Sequence, residues 1–466
     1  MVVFLIKRTT GTAIAAMLLF VCALNVHAQT NKVYTLAELV DSAKHYFPSL
    51  LQKEALANSA KAGITEAKHA FLPKFAISDE AVAASANSLP GSYMPLGVIP
   101  SVSGSVNAQN NGAAASGNIA ALYAEYELVN FGLKNAKNNN AVAFAGLQQA
   151  DFDKELYIVK WQIGRLYFDL LKNKYQLYVD AENINRYDSI YKVISALTSS
   201  GINAGVDSSL AKAELSKTRI SYNNRLGDII QLQQQLSYYT GIATEIDVDT
   251  AEKKIAENKM LFGAVADTAV NPLTDYYLRQ ETLFKSTETL VKKMYLPKVL
   301  LAAAGWARGS SIDYTGQYKD FSTGFGYQRF SYGIGIAVTY DLLNGVRKKD
   351  RLAVTHFQTT AAAYETQQQK AALQTAAKQA DASVRIAEKN LTELPVQLQA
   401  ASDAFEQKVA QYKAGIINLV DLTNASFVLY TSQSAYVQTL NDWFVANLNK
   451  AAATGNLDFF IQSIKR

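Results

Sequence analysis

Two hydrophobic periods divide this chain. Over residues 330–340 the apolar positions alternate: Phe330, Tyr332, Ile334, Ile336, Val338 and Tyr340 fall on one face. Ser331, Gly333, Gly335, Ala337 and Thr339 fall on the other. Period two is the mark of a strand with one apolar and one polar side. The length and the flanking aromatics suit a strand that crosses a bilayer, with Tyr332, Ile334, Ile336 and Val338 turned to lipid. The competing reading is a half-buried strand in a soluble sheet, where the glycines would only weaken it. Less regular strands are expected over 75–86, 119–128 and 299–307. The segments between them, 87–118 and 308–329, are rich in Gly, Ser, Asn and Tyr and read as exposed loops. Four strands result, in two β-hairpins, 74–130 and 298–344.

Elsewhere the period is seven. Leu156, Ile163, Leu170, Leu177, Ile184 and Tyr191 form one stripe. Val159, Leu166, Tyr187 and Ile194 form its companion, interrupted by Asn173 and Asp180. A later stretch repeats the frame with Ala377, Val384, Leu391, Leu398 and Phe405, beside Leu373, Ala380, Ala387, Leu394 and Ala401. Such spacing holds one face against a partner helix, and the alanines permit close approach. Helices over about 133–200 and 346–414 would each span roughly 100 Å if continuous. Pro395 lacks a backbone donor and predicts a kink in the second. Shorter helices over about 36–72 and 207–240 flank the first long one and would return along it.

The two periods occur in the same order twice. Phe47-Pro48 recurs as Asn271-Pro272, and Leu72-Pro73-Lys74 as Leu296-Pro297-Lys298, at an offset of 224. The offset then becomes 214. Tyr126-Glu127-Leu128 recurs as Tyr340-Asp341-Leu342, Gly201 as Gly415, Asp207 as Asp421, and Thr240-Gly241 as Thr454-Gly455. Only the hairpin interval changes length, as expected for rigid helices attached to a surface loop. Gly201 and Gly415 suit helix ends. Asp207 and Asp421 suit the start of the next helix, as caps and as partners for its positive dipole end. The repeats run over 29–241 and 271–455, with a linker at 242–270 and a C-terminal tail at 456–466.

Residues 1–28 read as a secretory leader: Lys7 and Arg8, an apolar run from Ala13 to Leu24, and Val26-His27-Ala28 as the cleavage step. The only cysteine, Cys22, lies inside it. Without the leader's Lys7 and Arg8, the 45 basic residues fall to 43 against 40 acidic ones. That balance argues against a nucleic-acid partner. His45, His69 and His356 have no metal-ligand spacing, and neither a phosphate loop nor a Ser-centred elbow is present. The sequence therefore calls for no cofactor, no metal and no catalysis.

The duplicated order of helix, Leu-Pro, hairpin, Tyr-acid-Leu and long helix resembles the TolC-like outer-membrane efflux proteins, over essentially all of the mature chain. The turn Gln411-Tyr412-Lys413-Ala414-Gly415, with Asp421 six residues on, carries the same resemblance. It implies a mainly α protein with a membrane β-barrel: a homotrimer with a twelve-stranded outer-membrane barrel and an α-helical tunnel across the periplasm. It implies a passive exit duct working with a periplasmic adaptor protein and an inner-membrane pump. Elementary physics agrees on the oligomer, because four strands cannot close and open edges cannot face lipid. By the same resemblance Asp421, Asp207 and Tyr412 would sit at the closed periplasmic entrance. The turns at Gly201 and Gly415 would meet the adaptor. Asn424 and Ile417 depart from the family pattern, which expects an acid and a base there. The alternative from another class is a secreted coiled-coil structural or adhesive protein.

Overall fold

The structure, a computed structural model, describes residues 32–88, 106, 108–201, 204–243, 245–248 and 270–464. The leader and most of the 242–270 linker lie outside these residues. In chain order the elements are β1 (Val33–Tyr34), α1 (Leu36–Tyr46), α2 (Pro48–His69), β2 (Lys74–Ala84), β3 (Ala115–Val129), α3 (Leu133–Ser199), α4 (Gly205–Thr240) and β4 (Asp247–Val248). The second repeat follows as α5 (Pro272–Met294), β5 (Lys298–Ser310), β6 (Arg329–Thr339), α6 (Asn344–Lys413), α7 (Leu419–Thr454) and α8 (Leu457–Ile464).

The duplication read from sequence is a duplication of structure. Displaced by 214 residues, the bounds of α4 become those of α7, and the end of α3 becomes the end of α6. Displaced by 224, the starts of α2 and β2 become those of α5 and β5. Gly241 and Gly455 cap α4 and α7 in the same left-handed conformation, at φ 70° and 82°. The helix expected over 36–72 is broken at Phe47, whose backbone is extended before Pro48. α6 runs helical through Pro395. Within the segment read as a tail, Leu457–Ile464 folds into α8.

One compact unit holds the described residues within 32–52, 153–273 and 370–464. Its helices bury an aromatic core in which Phe168 stacks on Phe444 at 4.9 Å and meets Phe460 edge-on. α8 buries Leu457, Phe460, Ile461 and Ile464 in that core. A short parallel pair, β1 with β4, joins chain segments far apart in sequence. Gly241 lies here too, and a methyl at its Cβ would fall 2.4 Å from the Tyr46 ring. Gly241→Ala should therefore cost more than about 1 kcal/mol, from strain and overlap together. Gly205→Ala, at a helical position with open space around it, should cost nothing. Equal denaturation midpoints for the two variants would refute this packing.

The other unit holds residues 53–152 and 274–369. Its sheet has the order β2-β3-β5-β6, every neighbour antiparallel. Each repeat supplies one hairpin, and β3 pairs with β5 between them. Lys53 of α2 pairs with Asp151 of α3 at 2.5 Å, and Asn140 of α3 donates to Thr287 of α5 at 2.9 Å.

Candidate functional site: a helical tip and a two-faced sheet

The tip is built from two turns. α6 ends with paired backbone bonds around Gly415, which adopts φ 69°. Gly415 N donates to the Tyr412 carbonyl at 3.0 Å, and Ile416 N to the Gln411 carbonyl at 2.9 Å. These bonds satisfy carbonyls the helix would otherwise leave open, and the left-handed residue between them is glycine for want of a Cβ clash. Gly201 takes φ 75° at the matching place.

The start of each following helix corrects one expectation. Asp421 does not cap α7. Asn418 does, its side chain accepting from Asp421 N at 2.9 Å. Asp421 is the third residue of the helix and is exposed. Asp207 holds the same third position in α4, where the cap residue Ala204 makes no side-chain bond. A side chain at that position points along the first turn, so both carboxylates act on the helix dipole rather than as caps.

Tyr412 is buried. It packs in one apolar cluster with Tyr187, Ile190 and Ile194 of α3, Ala211 and Leu215 of α4, and Leu419 and Leu422 of α7. The cluster brings the ends of four helices together, so the two turns share one tip. Burial holds the Tyr187 hydroxyl above its usual range. Val206, Leu210, Ile416 and Val420 remain exposed around the tip.

Behind the tip lies a polar layer that the heptads only hinted at. Asn173 and Asp180 interrupt the apolar sequence pattern, yet both continue the buried stripe. Asp180 Oδ1 accepts from the Tyr430 hydroxyl and from Gln176 Nε2, each at 2.9 Å. Arg225 Nε reaches Asp180 Oδ2 at 3.5 Å, while its Nη1 donates to Asn173 Oδ1 at 2.7 Å. Burial, and then the bond to Asp180, push the Tyr430 hydroxyl up, which keeps it a donor. One layer thus ties α3 to α4 and α7. Displaced by 214, Asn173 and Asp180 become Ala387 and Leu394, which are buried and apolar.

The sheet has two chemically distinct faces. Directly paired residues share a face, so the register can be read across all four strands. Ile336 pairs with Leu301, which pairs with Tyr126; Ile334 pairs with Ala303, Ala124 and Phe75 in turn. Tyr332, Gly305, Leu122 and Ile77 form the next row, and Val338 with Val299 and Val129 another. This face is apolar except at Asp79, Asn118 and Ser116, all toward the end of the sheet away from the helices. The opposite face carries Lys74, Ser78, Glu80, Glu125, Glu127, Ser331 and the small residues Gly333, Gly335 and Ala337. The predicted lipid-facing residues are therefore one edge of a four-strand apolar surface. Phe75, Ile77, Tyr332 and Ile334 are at least 72% exposed.

Long helical hairpins, joined through short turns to a four-stranded sheet with an exposed apolar face, make up the fold of outer-membrane channels. The solved structures agree. The outer membrane protein VceC of Vibrio cholerae matches with a TM-score of 0.73 at 15% identity, over 90% of this chain and 96% of that one. The CmeC outer membrane channel of Campylobacter jejuni matches with a TM-score of 0.71 at 14% identity, over 93% and 90%. The outer-membrane channel OprN matches with a TM-score of 0.71 at 14% identity, over 90% of each chain. No curated protein matches the sequence. Residues 289–456 are similar to the outer membrane efflux protein family.

Proposed function

We propose that this protein is the passive outer-membrane duct of a tripartite export system, acting without catalysis or cofactor as a homotrimer. The observation that carries the reading is the sheet. It has an apolar face four strands wide, and β2 and β6 each pair on one side only among the described residues. Lipid can cover that face, but open edges in lipid leave backbone groups without partners. Three copies would supply twelve strands and close the barrel. The likeness to solved outer-membrane channels supports the same location, with the helices in the periplasm. The shared tip, ringed by exposed apolar residues and carrying Gly201 and Gly415, is the surface we assign to a periplasmic adaptor, itself seated on an inner-membrane pump.

The entrance would lie at that tip, with Asp421 and Asp207 near its axis and Tyr412 helping to hold it shut. Carboxylates from three chains around one axis attract counter-cations. The purified protein should therefore run as a trimer, conduct in planar bilayers and be blocked by multivalent cations. Asp421→Ala should weaken that block. Tyr412→Phe should raise conductance and leave the block largely intact. A monomer that does not conduct would sink the reading, and would favour the adhesive protein if washed membranes released it without detergent. Unchanged block in Asp421→Ala would remove that residue from the entrance.

A further inference from the structure

All four passages between helix and strand fall at one end of the sheet. α2 ends at His69 before β2 opens at Lys74, and α5 ends at Met294 before β5 opens at Lys298. β3 closes at Val129 before α3, and β6 at Thr339 before α6. Resting on the outer-membrane reading above, we propose that this end is a docking belt for the anionic phospholipid headgroups of the periplasmic leaflet.

Charge makes the first argument. Lys134, Lys348, Lys349 and Arg351 are not fully covered and form no ion pair among the described residues. Arg347 has Asp341, and Lys137 lies over the Phe71 ring at 5.6 Å. Neither α3 nor α6 has an acidic residue in its first turn. Cations at a helix start work against the dipole. This applies to Lys134, the second residue of α3; Lys348, Lys349 and Arg351 lie beyond the first turn of α6, around Asp350, and with Lys134 they make a basic cluster that an outside anion would neutralise. Lys292 and Lys293, at a helix C-terminus, already suit their own helix dipole and add nothing.

Apolar exposure makes the second. Leu342 is 88% exposed, and Leu72, Leu343 and Val346 are more than 60% exposed at the same end of the sheet. Phe131 is half exposed and is the one non-glycine residue with positive φ, at 47°, among those described. Holding an aromatic in that conformation is strained. Cations beside protruding apolar side chains match the boundary between headgroup and acyl chain. The belt also continues the apolar face of the sheet, which would meet the acyl chains. The cations select phosphate, and the apolar side chains beside them select a lipid as its carrier.

The test uses the full-length protein in nanodiscs holding equal phosphatidylglycerol and phosphatidylcholine. After partial delipidation, the lipids retained on the protein are counted by native mass spectrometry. The expected result is phosphatidylglycerol enriched roughly threefold or more. K134Q/K348Q/K349Q/R351Q should bring the ratio to parity with conductance unchanged, and Lys134→Gln or Arg351→Gln alone should remove part of it. Arg329→Gln, at the far end of the sheet, should leave the ratio intact. Millimolar inorganic phosphate should not alter it, and loss of the preference in phosphate would assign the belt to free anions instead. Equal retention by the parent protein, or a preference that survives the fourfold variant, overturns the proposal while leaving the channel reading standing. Failure to enter a bilayer at all overturns both.

Discussion

Ile336→Arg should block assembly in the outer membrane, whereas Gly335→Arg should permit assembly and obstruct conduction. The register makes the contrast sharp, because the two positions are adjacent in sequence and opposite in surroundings. Ile336 lies in the row with Leu301 and Tyr126, and Gly335 in the row with Ala302 and Glu125. A cation on the lipid side near the bilayer midplane costs about 2–4 kcal/mol, and three copies would carry it together. On the polar side the same arginine stays in water and can reach Glu125. Yield of heat-modifiable oligomer in washed membranes measures the first effect, and single-channel conductance the second. Normal assembly of Ile336→Arg together with undiminished current through Gly335→Arg would invert the faces of the sheet.

The second large effect belongs to the polar layer. Arg225→Ala should destabilise the helical unit by about 3–5 kcal/mol, because it leaves the Asp180 carboxylate buried without its cation. The Asp180 side chain is 1% exposed and that of Arg225 27%, so the carboxylate bears most of the penalty. Asp180→Leu with Arg225→Leu should recover most of the loss, as both desolvation costs vanish together. Denaturant titration in detergent reads both variants. If the double variant is as unstable as the sum of its single substitutions, the pair is not coupled and the layer is held by Tyr430 and Gln176 instead. The same layer distinguishes the repeats: the second one, with Ala387 and Leu394 at these places, needs no such compensation.

Much of this was legible in the sequence because it is periodic or punctuated. Alternation marked β6 to within a residue, and the duplicated glycines marked the helix ends at Gly201, Gly241, Gly415 and Gly455. What escaped was what depends on partners distant in sequence. β1 and β4 have two residues each, too few for any period to register. α8 has eight residues, and its apolar face declares itself only when Phe460 is set against Phe168. The cap is Asn418 and not the charged Asp421 that the sequence offers, because the geometry of the turn selects the residue immediately before the helix. Asn173 and Asp180 looked like breaks in a stripe, since their compensation comes from Arg225 and Tyr430 on other helices. The placement of Tyr412 could not be read from the sequence for the same reason: its buried neighbours come from three other helices.

The pairing of β3 with β5 has a consequence for how the chain must be made. Ser116 and Ser311 touch across it although 195 residues separate them. When the first repeat leaves the translocation machinery, its sheet is a lone hairpin, and a two-stranded hairpin has little stability in water. The rest of the first repeat, the linker and α5 must follow before β5 can arrive. Contacts of such sequence separation form slowly. Throughout that interval Phe75, Ile77 and Leu122 stand exposed on an unfinished sheet, the condition in which chains aggregate. The helical hairpins can fold locally and early; the sheet must wait. Sheet closure is therefore the step expected to be slow, and the first hairpin is the segment left exposed meanwhile.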